Sequence, residues 1–316
     1  MILRDHELYG LYMGILALLV VASIIGFLLE WRVKTPRGRE TVANINARIK
    51  AWWVMSGVFA VANLAGMTST IVLFGFLSFL ALREFVTLTP TRRGDHRSLL
   101  FTFFFLMPLQ YFLVSIKWYG LFSVLVPVYA FLFIPTVNAL QGDPKHFLER
   151  TAKLQWAAMI CVYCLSHAPA LLMLQIPGYE GENAKLLLFM VLVVQLSDVL
   201  QYVWGKTTGK RAVAPNISPN KTIEGLIGGV ASATIIGTLL WWATPFHPFV
   251  AWLMALGISL AGFAGGLTMS AIKRDRGVKD YGTLIEGHGG ILDRIDSVCF
   301  AAPLFFHVVR FFYSTV

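Results

Sequence analysis

Most of the residues suited to chemistry lie in one stretch of the chain, Ser270 to Asp296, which reads SAIKRDRGVKDYGTLIEGHGGILDRID. Its 27 positions hold five Lys/Arg, five Asp/Glu, one His and five Gly, in a chain that is 57% hydrophobic and only 14% charged. Asp280, Asp293 and Asp296 are hard oxygen donors for one or two Mg²⁺ ions, which bind through one or two carboxylates plus substrate phosphates. Lys273, Arg274, Lys279 and Arg294 would neutralise a polyphosphate. Asp293 and Asp296 are three residues apart, so their carboxylates share one face at the start of a helix. Gly287-His288-Gly289-Gly290 makes a tight loop whose backbone N–H groups can face an anion. Metal and cations around a developing charge are most of what an enzyme supplies to phosphoryl or nucleotidyl transfer. A loop whose acids merely balance its bases is the simpler alternative, but it does not call for Gly-His-Gly-Gly followed by Asp-x-x-Asp.

A second polar stretch runs from Asp198 to Gly225. Asp198 falls inside the apolar run LLLFMVLVVQLSDVLQYVW. A carboxylate at membrane depth is costly unless partnered, so it marks a functional site. Gln195, Asp198 and Tyr202 share a helical face, which is expected to look into a polar cavity. Downstream come Gly-Lys-Thr-Thr-Gly-Lys-Arg, then Pro215 and Ile-Ser-Pro-Asn-Lys-Thr-Ile-Glu-Gly. The Gly-Lys-Thr lacks the upstream glycine and strand of a P-loop. Helix capping by Ser218 or Thr222 accounts for the Ser, Thr and Glu224. It does not account for Asp198.

The elements that must hold these residues are membrane helices. Ten apolar stretches of spanning length occur, at 8–30, 51–67, 69–88, 98–116, 118–137, 154–176, 184–204, 225–244, 249–272 and 297–313. The class is therefore an all-α polytopic transmembrane protein of about ten spans. Residues 1–176 are generic spans and 177–316 carry nearly all the unusual polar residues. Linkers 31–50, 89–97, 138–153, 205–224 and 273–296 hold 21 of the 26 Lys/Arg. By the positive-inside rule these linkers are cytoplasmic and both termini are outside, in the cell membrane. The net charge of +9 then reflects topology and attraction to anionic lipid rather than nucleic-acid binding. Arg83-Glu84 reads as interfacial anchoring by snorkelling. Residues 141–153 read as a short helix resting on the inner leaflet. Cys161 and Cys164, one helical turn apart in an apolar run, read as small buried residues.

The pattern Ser270-x2-Lys273-Arg274-x4-Lys279-Asp280-x7-His288-Gly289-Gly290-x2-Asp293-Arg294-x-Asp296 resembles the signature of the phosphatidate cytidylyltransferases. Asp198, Gly205, Gly209-Lys210, Pro215, Ile217-Ser218-Pro219, Lys221-Thr222 and Glu224-Gly225 are similar to that family's upstream stretch. The detailed resemblance covers about the last 120 residues. It implies attack by a phosphatidate phosphate on the α-phosphorus of CTP, giving CDP-diacylglycerol and pyrophosphate. It also implies Mg²⁺, with a second cation in a two-cation site, and a homodimer. Carried over, Asp280, Asp293 and Asp296 are the metal ligands. Lys273, Arg274, Lys279 and Arg294 contact phosphate, and His288, Gly289 and Gly290 shape the loop around it. Asp198, Ser218, Lys221, Thr222 and Glu224 line the cavity for nucleotide and lipid head.

The upstream stretch departs from the family at Val199, Gln201, Lys206 and Asn220. Lys in place of Arg gives up a bidentate fork for phosphate. The departures leave the lipid acceptor open between phosphatidate and another lipid phosphate, such as an isoprenoid or ether lipid. They also fit a divergent or silent paralogue. An ion-coupled transporter using Asp198 is the reading from another class, but transporter sites lie at the midplane between repeats. Here the polarity is one-sided and concentrated in a loop.

Overall fold

The computed structural model describes residues 5–33, 35–89, 91–282 and 289–315. It is built of long helices: α1 Asp5–Arg32, α2 Pro36–Leu64, α3 Met67–Thr87, α4 Arg93–Ser115, α5 Tyr119–Leu140, α6 Phe147–Met173, α7 Asn183–Thr208, α8 Ile223–Leu239, α9 Pro248–Asp275 and α10 Leu292–Tyr313. Eight of them are long and apolar enough to cross a membrane. The other two are α8, which is shorter, and α2, whose first half carries Arg37, Arg39, Glu40, Arg48 and Lys50. The segment expected as linker 31–50 is thus helical from Pro36. Thr35 caps it by accepting from Gly38 N at 3.3 Å, and Pro36 occupies the first turn, where its missing N–H costs nothing.

Residues 141–153 are not a separate surface helix. From Phe147 they continue into α6 without a break, and Arg150 is buried against Asp95 and Asp143 at 3.1 and 2.7 Å. A guanidinium placed there needs those carboxylates, so Arg150 and Thr151 fold into the bundle while Leu148 and Glu149 stay exposed.

The architecture adds one element absent from an all-helical reading. Strands β1 Ala212–Ala214 and β2 Ser218–Thr222 pair antiparallel between α7 and α8, with Ala212 opposite Thr222 and Ala214 opposite Ser218. Helix α7 packs on α8, α9 and α10, α9 also packs on α8 and α10, and α3 and α6 pack on α10. One hydrophobic core therefore runs through both halves of the chain, from Leu82 and Leu113 to Leu186 and Phe305. Gly225 and Gly229 let α8 approach α7 closely, because a Cβ on either would strike the backbone of Gln201. Cys161 and Cys299 are buried, and neither they nor Cys164 form a disulfide.

Candidate active site

The site is assembled where α9 ends and α10 begins. Helix α9 stops in a Schellman turn: Gly277 takes φ +71°, Gly277 N donates to Arg274 O and Val278 N donates to Lys273 O. This turn leaves Lys273 in the last helical turn and returns the chain toward α10. Arg274 ties it down by donating to Ile217 O at 3.2 Å and Val278 O at 3.1 Å, linking the hairpin to α9.

Asp293 is the hub of the returning loop. Its Oδ1 accepts from Lys273 Nζ at 2.7 Å, and its Oδ2 accepts from Tyr281 N at 2.7 Å and Gly290 N at 2.9 Å. Its side chain is only 2% exposed. Gly289, at φ +82°, lies so close that a Cβ there would stand 2.8 Å from Asp293 Oδ2 and 3.1 Å from Asp280 Cβ. A side chain there would therefore displace both aspartates.

One turn further along α10, Asp296 faces α7. Ser297 Oγ donates to Asp198 Oδ2 at 2.6 Å and stands 3.3 Å from Asp296 Oδ1, bridging the two carboxylates. Gln195 Nε2 donates to Arg294 O at 3.2 Å, holding α7 to the same turn. Lys221, at the end of β2, completes the cluster. Burial pushes its ammonium below the ordinary lysine value, while Asp198 and Asp296 pull it back up.

The structure thus brings together Asp198, Lys221, Lys273, Asp293, Arg294 and Asp296. It leaves Lys279 and Asp280 exposed on the loop beside Gly289. Ser218 sits in β2. Thr222 is the N-cap of α8, accepting from Gly225 N at 3.1 Å, and Glu224 Oε2 accepts from Lys210 N and Arg211 N at 3.0 and 3.2 Å. Thr222 thus fixes the start of α8, and Glu224 holds the basic loop against it. His288 lies outside the described residues. Of the face Gln195, Asp198, Tyr202, only the first two meet α10. Tyr202 is 53% exposed between Arg48 and Lys206, both within cation–π distance of its ring.

Two contributors escaped sequence reasoning. Ser297 reads as one small residue among many, although it directly follows Asp296. Glu84 reads as a snorkelling anchor; instead Oε1 accepts from Ile291 N at 2.9 Å and Oε2 from Leu292 N at 2.8 Å. Helix N-termini present unpaired N–H groups and a positive dipole end, and the carboxylate satisfies both. Its only visible signal was an acid at a span end with no cation one turn away.

The fold and this cluster define a multispan membrane protein with carboxylates and cations gathered at one end of its helix bundle. Residues 46–312 match the cytidylyltransferase family, and the chain belongs to it: it is a CTP-dependent nucleotidyltransferase. It is 40% identical over 299 residues to the uncharacterized protein YnbB of Escherichia coli (strain K12), covering 93% of this chain and 96% of that one. It is 31% identical over 216 residues to a phosphatidate cytidylyltransferase of Bacillus subtilis (strain 168), 68% of this chain and 77% of that one. A phosphatidate cytidylyltransferase of Staphylococcus aureus (strain COL) is 34% identical over 194 residues, 58% and 74% of the two chains.

Proposed function

We propose that the enzyme transfers CMP from CTP to phosphatidate, giving CDP-diacylglycerol and pyrophosphate, on the cytoplasmic face of a bacterial inner membrane. A phosphate oxygen of the lipid forms a bond to the α-phosphorus of CTP, and the bond to the β-phosphate oxygen breaks. The observation that carries this reading is the convergence of Asp198, Ser297 and Asp296 with Lys221, beside the Lys273–Asp293 pair, where α9 ends and α10 begins. The relatives named as phosphatidate cytidylyltransferases support it, and the basic linkers support the cytoplasmic side.

The nucleophile arrives already ionised, so no general base is required. Lys221 and Lys273 supply positive charge near the reacting phosphates, and the fixed helix ends supply orientation. Among the described residues, no three carboxylate, imidazole or thiol groups converge as a metal cage. Asp293 spends both oxygens inside the protein, whereas Asp198 and Asp296 each keep an oxygen without a described hydrogen-bond donor. Two hard oxygen donors with room for substrate phosphates suit Mg²⁺, which rarely sits in an all-protein cage. Asp198 and Asp296, with exposed Asp280 from the loop, would hold it, alone or with a second cation. Bound there, the ion would polarise the transferring phosphoryl group.

Lys206 and Asn220, where the upstream stretch departs from the family, leave open a second acceptor class, an isoprenoid or ether lipid phosphate. Lys206 stacks on Tyr202 at 5.8 Å, and Asn220 is exposed on the hairpin. Purified protein with radiolabelled CTP, Mg²⁺ and each acceptor in turn decides. Phosphatidate should yield a labelled CDP-lipid, and product with only another lipid phosphate would move the assignment. Homodimer formation belongs to the same reading, and light scattering of the detergent-solubilised protein checks it.

A further inference from the structure

The first turn of α10 has a difficulty its own sequence does not solve. Its cap residue is Ile291, which has no side-chain oxygen, yet the turn carries Asp293 and leads into Asp296. Unpaired N–H groups at a buried helix start must find acceptors. We infer that Glu84 is the positioning residue of the active site: a carboxylate from the N-terminal half that sets the axial position and rotation of α10.

Three observations carry this. The two bonds from Ile291 N and Leu292 N to separate Glu84 oxygens fix direction as well as distance, which one bond would not. Gly282 and Gly290 line the carboxylate so closely that a Cβ on either would collide with it, so the loop is shaped to admit Glu84. The helix bearing it is itself immobilised. Neighbouring Ala81, Leu82 and Phe85 are buried, and Phe85 stacks on Tyr281 at 6.1 Å, beside the N–H that Tyr281 donates to Asp293. Glu84 acts on the site through the two amides it holds at the start of α10. Displacing reacting groups by about 1 Å costs on the order of 100-fold in rate, so rate, rather than binding, should respond.

The proposal rests on the cytidylyltransferase reading for its kinetic arm and is independent of it for its structural arm. Glu84→Gln keeps one acceptor oxygen and the side-chain shape; Glu84→Ala removes both. Each would be compared with the unaltered full chain in nanodiscs, by amide hydrogen exchange and by steady-state kinetics normalised to folded protein. The expected result is faster exchange confined to residues 289–296, with kcat lower by about 100-fold in Glu84→Ala and the KM for CTP changed by less than about threefold. A folded variant with unaltered kcat, or with unchanged exchange in that segment, overturns the proposal. A KM rise at constant kcat also overturns it, since that is the mark of substrate contact. If Glu84→Ala does not fold, Glu84→Gln decides by the same criteria. If the unaltered enzyme makes no CDP-lipid, the functional reading fails, and the exchange experiment still decides the clamp.

Discussion

Asp293 and Asp296 occupy successive turns of one helix face, yet their surroundings are opposite in kind. Around Asp293 every described polar partner belongs to the protein: Lys273, Tyr281 N and Gly290 N consume both oxygens. Around Asp296 the protein supplies less. Ser297 joins it to Asp198, and Lys221 faces them without an ion pair to either among the described residues. The first region is built like a core and the second like a cradle. Two aspartates that look equivalent in the sequence therefore differ in their surroundings: one has both oxygens engaged by the protein, and the other keeps an oxygen without a described donor.

This contrast can be broken experimentally. The largest effect expected is on Asp296→Asn, which should lower kcat by at least about 1,000-fold with no change in unfolding temperature. Near-normal turnover would erase the distinction. Asp293→Ala should act through stability, because it strands the half-buried Lys273 ammonium and the Tyr281 and Gly290 amides. Removing one partner of a fully buried pair costs about 3–5 kcal/mol, and the loss here should be somewhat smaller, to be read from thermal unfolding in detergent. An unfolding temperature equal to that of the unaltered protein would show the pair to be dispensable.

A smaller effect sharpens the cradle side. If the Lys221 ammonium is needed there, its depressed pKa means that charge is lost as pH rises, earlier than for a surface lysine. The rate should fall on the alkaline side, and Lys221→Arg should move that limb to higher pH. Coincident pH profiles would remove Lys221 from the reaction. Smallest of all, Thr222→Ala deletes the α8 cap and should cost about 1 kcal/mol of stability with kcat unaltered. Loss of turnover there would return Thr222 to the substrate cavity.

Much of this was legible in the residues. Spans announce themselves because a bilayer demands about twenty apolar residues, and Asp198 announces itself because a carboxylate among them needs a reason. What stayed hidden depends on partners distant in sequence. Glu84 looks like any charged residue at a span end until Ile291 and Leu292 are seen opposite it. Arg150 looks like surface charge until Asp95 and Asp143 enclose it. The hairpin escaped because five residues, SPNKT, carry no alternation of apolar and polar character. Its pairing is fixed from outside, by Arg274 on Ile217 O and by the bonds Glu224 makes to the loop.

The contact between Glu84 and Ile291 joins positions 207 residues apart. Helix α3 leaves the ribosome long before α10, so during membrane insertion its carboxylate waits without the amides it will bind. The nascent protein can thread most of its spans and still lack a working catalytic end. The site cannot be complete before α10 is present, because the amides that Glu84 binds belong to Ile291 and Leu292. A chain that ends before α10 would lack both amide donors and leave the Glu84 carboxylate without them.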